Sequence, residues 1–216
     1  MARGSCLRGC LLVALLAAAA LPGWSQAFRP RWTGEVSFGV APVVGGVGKH
    51  LATGWELNGA FGRRLTRSFT LEGEFAYDSL GVTAAALRRL HVPAGAADVW
   101  SLSPEAVWNF ARGRLGGYLR AGVGYYRRTV QFLQPTFAGT IIFDPWWGYF
   151  GPAIVPVNVV LGSVSENAFG ANGGIGITAR LPRGRGARVF LELDYRWANT
   201  HPTATTLLPV TLGIRW

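Results

Sequence analysis

The stretch Phe69-Thr70-Leu71-Glu72-Gly73-Glu74-Phe75-Ala76-Tyr77-Asp78 separates its side chains by parity. Phe69, Leu71, Gly73, Phe75 and Tyr77 fall on odd positions, and every carboxylate falls on an even one. A β-strand turns successive side chains to opposite faces, so these ten residues predict one apolar face and one acidic face. Val189 to Trp197 repeats the rule: Val189, Leu191, Leu193, Tyr195 and Trp197 oppose Glu192, Asp194 and Arg196. Six further segments agree more weakly. They are Glu35–Val40, Trp55–Phe61, Ser101–Phe110, Leu119–Tyr126, Ala171–Leu181 and Leu208–Trp216, with Pro104 an irregularity for a bulge or strand start to absorb.

Eight such segments, with connectors of alternating length, predict a closed antiparallel up-and-down transmembrane β-barrel, because only helices and closed barrels satisfy their backbone in lipid. The second, fourth and sixth connectors are short, near Arg63–Arg67, Arg112–Arg114 and Pro182–Ala187. The others are longer: Pro42–Ala52, Gly81–Asp98, Val130–Glu166, and Thr200–Ala204 as the least regular. Aromatic residues collect at strand ends, as they do at the two membrane interfaces. Trp55, Tyr77, Trp100, Tyr125 and Trp197 map to one end, Phe61, Phe69, Phe110 and Trp216 to the other. A soluble β-sandwich also alternates, but it does not account for asymmetric loops and end-placed aromatics together.

The N-terminus reads differently. Arg3 and Arg8 precede an apolar run from Leu11 to Leu21, and Ser25-Gln26-Ala27 places small residues where a signal peptidase cuts, so residues 1–27 are expected to be an export signal and 28–216 the barrel domain. The run is too short for a membrane helix. Cys6 and Cys10 both lie in this leader, and its removal leaves a formal charge of +8. Thirty glycines, 12% aromatics and only 15% charged residues are unusual for a soluble domain.

On these patterns the chain resembles the small OmpA/OmpX-type outer-membrane β-barrels. Its C-terminal Leu208-Pro209-Val210-Thr211-Leu212-Gly213-Ile214-Arg215-Trp216 is similar to their assembly signal, in which alternating apolar residues end in an aromatic, usually Phe. The resemblance implies location in the outer membrane of a Gram-negative-type bacterium. It also implies recognition of Leu212, Ile214 and Trp216 by the barrel-assembly machinery, and contact with outer-membrane lipids and lipopolysaccharide.

Three features could carry function. The first is a lumen charge network of Glu35, Glu56, Glu72, Glu74, Asp78, Glu105, Glu192 and Asp194 against Arg120, Arg128, Arg180, Arg196 and Arg215. An eight-stranded barrel is just wide enough for side chains to fill, which favours an ion-paired plug over a channel. The second is the apolar, proline-containing connector 130–166, read either as an external hairpin for a surface ligand or as Thr136–Phe143 and Ala153–Leu161 entering a ten-stranded wall. The third is a set of arginines at the short turns (Arg63, Arg64, Arg67, Arg112, Arg114, Arg183, Arg185 and Arg188), suited to anionic headgroups. Confinement to turns, without a groove-reading motif, argues against nucleic acid. His50, His91 and His201 fall in the longer connectors with no serine at an enzyme's spacing, and no catalytic, metal or cofactor motif is present. The sequence therefore predicts a structural or surface-interaction role (envelope integrity, adhesion, or binding of a lipid or hydrophobic ligand by the outer loops), with a narrow channel for small solutes as the alternative and, behind it, the lipid A-modifying enzymes that some small barrels of similar size are.

Overall fold

Period-two alternation becomes a ring of strands in the computed structural model, which describes residues 32–111, 113–146, 148–182 and 186–216. The elements are β1 (Trp32–Ala41), β2 (Val43–Val44), a 3-10 turn (Gly46–Lys49), β3 (Leu51–Arg64), β4 (Phe69–Val82), α1 (Ala84–Leu90), β5 (Ala94–Ala111), β6 (Leu115–Asp144), β7 (Tyr149–Arg180), β8 (Arg188–Ala198), β9 (Thr205–Leu207) and β10 (Val210–Arg215). All pairings are antiparallel, in the order β10-β1-β3-β4-β5-β6-β7-β8, and β8 pairs with β10 to close the ring at eight. The two-residue β2 and three-residue β9 pair with each other above β1 and β10, from which Pro42 and Leu208-Pro209 offset them. The expected export signal, residues 1–27, lies outside the described residues.

Parity decides which side each residue takes. In β4, Thr70, Glu72, Glu74, Ala76, Asp78 and Leu80 are buried, and Leu71 and Phe75 are exposed. In β8, Phe190, Glu192, Asp194, Arg196 and Ala198 are buried, and Leu191, Leu193 and Tyr195 are exposed. The outward face is apolar, as lipid demands. Phe69 to Tyr77, from one aromatic girdle to the other, is nine residues, the length of a tilted transmembrane strand (about 9–11 residues).

Pro104 sits inside β5, and the β5–β6 ladder passes from Leu102↔Tyr125 to Glu105↔Gly122 without pairing Ser103 or Pro104. The missing N–H is thus absorbed by a local gap rather than by ending the strand. One connector corrects the sequence reading and another decides between its two alternatives. Gly81–Asp98 is mostly regular structure, because β4 continues to Val82, Thr83 caps α1 through Ala86 N–H (3.4 Å), and β5 starts at Ala94. The segment 130–166 takes the hairpin alternative. It continues β6 and β7 as a two-stranded ribbon in which Thr136–Phe143 and Ala153–Leu161 face each other and do not join the wall, so the ten-stranded alternative falls.

Candidate functional site: the packed lumen and its outer ribbon

The barrel interior is filled in three layers. At the inner end Tyr118, Phe190 and Val107 form an apolar floor, with Tyr118 edge-on to Phe190 at 6.4 Å between centroids. Their bulk fits because the facing strands carry glycine. Tyr118 is opposite Gly176 and Phe190 opposite Gly213, where an added Cβ would collide with Cζ of each ring. Arg215 lies over both rings, 4.4 Å from the Tyr118 centroid and 5.4 Å from that of Phe190, a cation–π arrangement.

The middle layer is ionic. Arg120 on β6 reaches Glu74 (2.5 Å), Glu105 (2.5 Å), Glu192 (2.7 Å), Glu35 (3.2 Å) and Glu72 (3.7 Å), so one guanidinium meets carboxylates from β1, β4, β5 and β8. Arg196 on β8 meets Glu56 (2.8 Å), Glu74 (2.9 Å), Asp194 (3.1 Å) and Asp78 (3.7 Å). Glu74 bridges the two guanidiniums, and Arg215 joins from the inner end through Glu35 and, at 3.8 Å, Glu72. Neutral donors serve the acids too. Tyr118 donates to Glu192 (2.5 Å), Ser103 and Asn172 to Glu105, and Asn58 to Glu56 (3.2 Å) while accepting from Ser37 (2.7 Å). A buried charge is tolerated only when paired and hydrogen-bonded. Here the pairing ties all eight walls of the ring together.

The outer layer is apolar again: Ala41, Val47, Leu51, Leu80, Ala97, Val99, Tyr126, Ala198 and Leu207, with Val43, Val82 and Val130 against them. The 3-10 turn delivers Val47 into this lid at 3% exposure.

Two residues of the sequence-derived network stand elsewhere. Arg180 has the inward parity but is the last residue of β7, level with the turn, where its side chain is exposed. Arg128 forms a separate clamp at the outer rim. It pairs with Glu166 (2.9 Å) and donates to Thr205 Oγ1 (2.9 Å), His201 O (3.1 Å) and Thr203 O (3.4 Å), and His201 N–H donates to Glu166. The turn after β8 is thereby fastened to the root of the ribbon. Among the lumen residues, Tyr118, Phe190 and the outer apolar layer were missed by the sequence reading. Their signal was inward parity shared with Arg120, Glu192 or Asp78, but apolar letters at inward positions look like lost alternation.

The aromatic residues form two rings. At the outer end Trp55 contacts Tyr77 (5.5 Å) and Phe38 (6.3 Å), Tyr125 contacts Trp100 (5.7 Å) and Phe169 (5.9 Å), and Trp197 is half-exposed on the same outward face. Tyr77 also donates to Asp98 (2.8 Å). At the inner end Trp32 stacks on Phe61 (5.2 Å), Trp108 contacts Phe110 (5.9 Å), and Phe69 is paired in register with Trp108. Leu212 and Ile214 face outward, and Trp216 exchanges backbone hydrogen bonds with Gly34 (3.0 and 3.3 Å) while its ring covers that glycine.

Above the rim the ribbon stands apart. The β5–β6 ladder ends at Ala94↔Leu133 and the β7–β8 ladder at Gly170↔Ala198, whereas β6 and β7 pair on to Asp144↔Tyr149. Phe137, Ile141, Phe150 and Ile154 are each 70% exposed or more.

Known proteins place this architecture. Residues 9–210 match the family model described as an outer membrane protein beta-barrel domain. No curated protein matches the chain in sequence. Among solved structures the chain is similar to Neisserial surface protein A (NspA), with 12% identity, TM-score 0.57, and coverage of 86% of this chain and 96% of that one. It is also similar to a major outer membrane protein from Thermus thermophilus, with 10% identity, TM-score 0.50, and coverage of 87% and 99%. At such identities these two speak for the fold alone. With a family match across nearly its whole length and a ring of eight lipid-compatible strands, the chain belongs to the outer-membrane β-barrel domain family and is an outer-membrane protein.

Proposed function

We propose that the protein is a sealed, non-conducting barrel that holds the β6–β7 ribbon at the outer surface as an interaction element. The observation carrying this reading is the stacked lumen, in which an apolar floor, a cross-strand ion network and an apolar lid occupy the space a solute would need. A narrow cation pathway has in its favour eight inward carboxylates against three guanidiniums. Against it stand the two apolar layers, which offer an ion no replacement for its hydration shell.

In this reading the outer-membrane lipids and lipopolysaccharide surround the aromatic rings, the assembly machinery engages Leu212, Ile214 and Trp216, and a surface ligand meets the ribbon. Cleavage of an export signal after Ala27 belongs to the same reading, and the N-terminal residue of protein taken from the outer membrane tests it. The test of the central claim is conductance of folded, heat-modifiable protein in planar bilayers. Silent membranes are expected, and stable unitary openings of the wild-type protein would overturn the scaffold reading.

A further inference from the structure

The ribbon is a second apolar segment, distinct from the one that spans the membrane. Above the Tyr125–Phe169 girdle the β6 and β7 partners are mostly polar, Arg127↔Asn167, Arg128↔Glu166, Thr129↔Ser165 and Gln131↔Ser163, interleaved with Tyr126↔Ala168, Val130↔Val164 and Phe132↔Gly162. This is a polar collar at the level of headgroups. Beyond it, apolar residues return as Leu133↔Val160, Phe137↔Pro156, Gly139↔Ile154, Ile141↔Pro152 and Phe143↔Phe150, all on one face, with Phe143 and Phe150 in ring contact at 5.2 Å. Trp146, 90% exposed, and Tyr149 stand at the tip. Between Arg128 and Glu166 the only charged residue is Asp144.

A two-stranded ribbon of this length is marginal without a partner, and exposed apolar surface on this scale marks a binding site. Three physical arguments choose the occupant. A second ribbon adding edge to edge is obstructed by Pro135, Pro152 and Pro156. All three sit in same-face pairs, and a proline cannot donate to the ladder, so their nitrogens point to the outer edges and leave gaps where an added strand would need donors. A second ribbon packing face to face would cover on the order of 400 Å² per partner, from about 40 Å of strand and two strand widths. That is half of the roughly 800 Å² a stable interface needs. The near absence of charge leaves nothing for a polyanion or a charged protein patch to pair with. Lipid needs none of these, and Trp, Tyr and Phe at a tip are the residues that settle at a membrane interface.

We infer that the ribbon tip docks on a second bilayer, apposed to the one the barrel occupies. Ile141, Phe143, Trp146, Tyr149, Phe150 and Ile154 enter its interfacial zone. Nineteen residues of β6 lie beyond Tyr125, roughly 60 Å of strand, so the tip stands well clear of its own leaflet. Entry stops at interfacial depth, because a lone hairpin's edges cannot be satisfied in hydrocarbon. This inference rests on the scaffold reading and names the partner of its ribbon.

The experiment uses full-length protein in nanodiscs, mixed with separate phosphatidylcholine vesicles containing brominated lipid. Co-flotation with the vesicles and quenching of tryptophan fluorescence are expected, at low and high salt alike and without anionic lipid. Replacing Phe143, Trp146 and Phe150 by serine should weaken partitioning about tenfold or more per aromatic removed, with heat-modifiable migration unchanged. No co-flotation, equal co-flotation of the triple variant, or a requirement for anionic lipid would each overturn the inference. Quenching only when the brominated lipid is in the disc overturns it in favour of a ribbon folded onto its own membrane. A nanodisc dimer lost with the same substitutions overturns it in favour of a second copy. Conductance of the same preparation separates the two claims: silent protein that does not float refutes the lipid partner alone, and conducting protein refutes the scaffold.

Discussion

Replacing Arg120 by methionine removes the cation shared by Glu35, Glu72, Glu74, Glu105 and Glu192, with side chains that are all 2% exposed or less. Deleting one member of a buried pair costs about 3–5 kcal/mol, because the partner charge stays buried without compensation. Each of the five acids keeps some other contact. Glu35 and Glu72 retain Arg215, Glu74 retains Arg196, Glu192 retains Tyr118, and Glu105 retains Ser103 and Asn172. The loss should therefore lie near the lower limit, about 3 kcal/mol, a little over a hundredfold in the unfolding constant. Equilibrium urea unfolding in phospholipid vesicles measures it. Arg128→Met is the internal comparison, because its pair with Glu166 is partly solvated (13% and 26% side-chain exposure) and should be worth about 1 kcal/mol or less. Arg120→Lys should recover only part of the loss, since one ammonium cannot span five carboxylates. Equal midpoints for Arg120→Met and wild type would refute the claim that the network holds the ring together.

Gly176→Val should destabilise the barrel by about 1–3 kcal/mol through overpacking against Tyr118, read from the same urea titration. Its rescue by Tyr118→Ala in the double variant would assign the cost to that contact. Leu193→Arg puts a charge near the middle of the lipid face of β8 and should cost about 2–4 kcal/mol. A cost under about 1 kcal/mol would mean that this face does not meet hydrocarbon.

Parity along single strands was enough to assign faces in β4 and β8, because each carries at least three charged residues on one side and none on the other. What parity cannot supply is height. Arg120 and Arg180 share an inward phase, yet one lies in mid-lumen with five acids and the other beside a turn in water. Nor does a single strand reveal its neighbour: the room for Tyr118 and Phe190 comes from Gly176 and Gly213, distant in sequence and adjacent only through register. The hairpin itself is legible, because prolines fit edges better than central strands, and in a two-stranded element Pro135, Pro152 and Pro156 can face an unpaired edge, where they break no ladder. What single-strand patterns do not show is that β6 and β7 run on from the wall into it.

The contact between Glu35 and Arg215 spans 180 residues of chain. It joins the first strand of the ring to the last, so Glu35 and Glu72 gain their second guanidinium neighbour only when β10 is in place. A barrel stalled before β10 holds Glu35 and Glu72 without Arg215 and leaves the floor rings without the guanidinium that covers them. Closing the ring and supplying the third of the three lumen guanidiniums are then one event. An unclosed ring therefore carries a larger excess of lumen acid than the closed one, eight carboxylates against two guanidiniums instead of three.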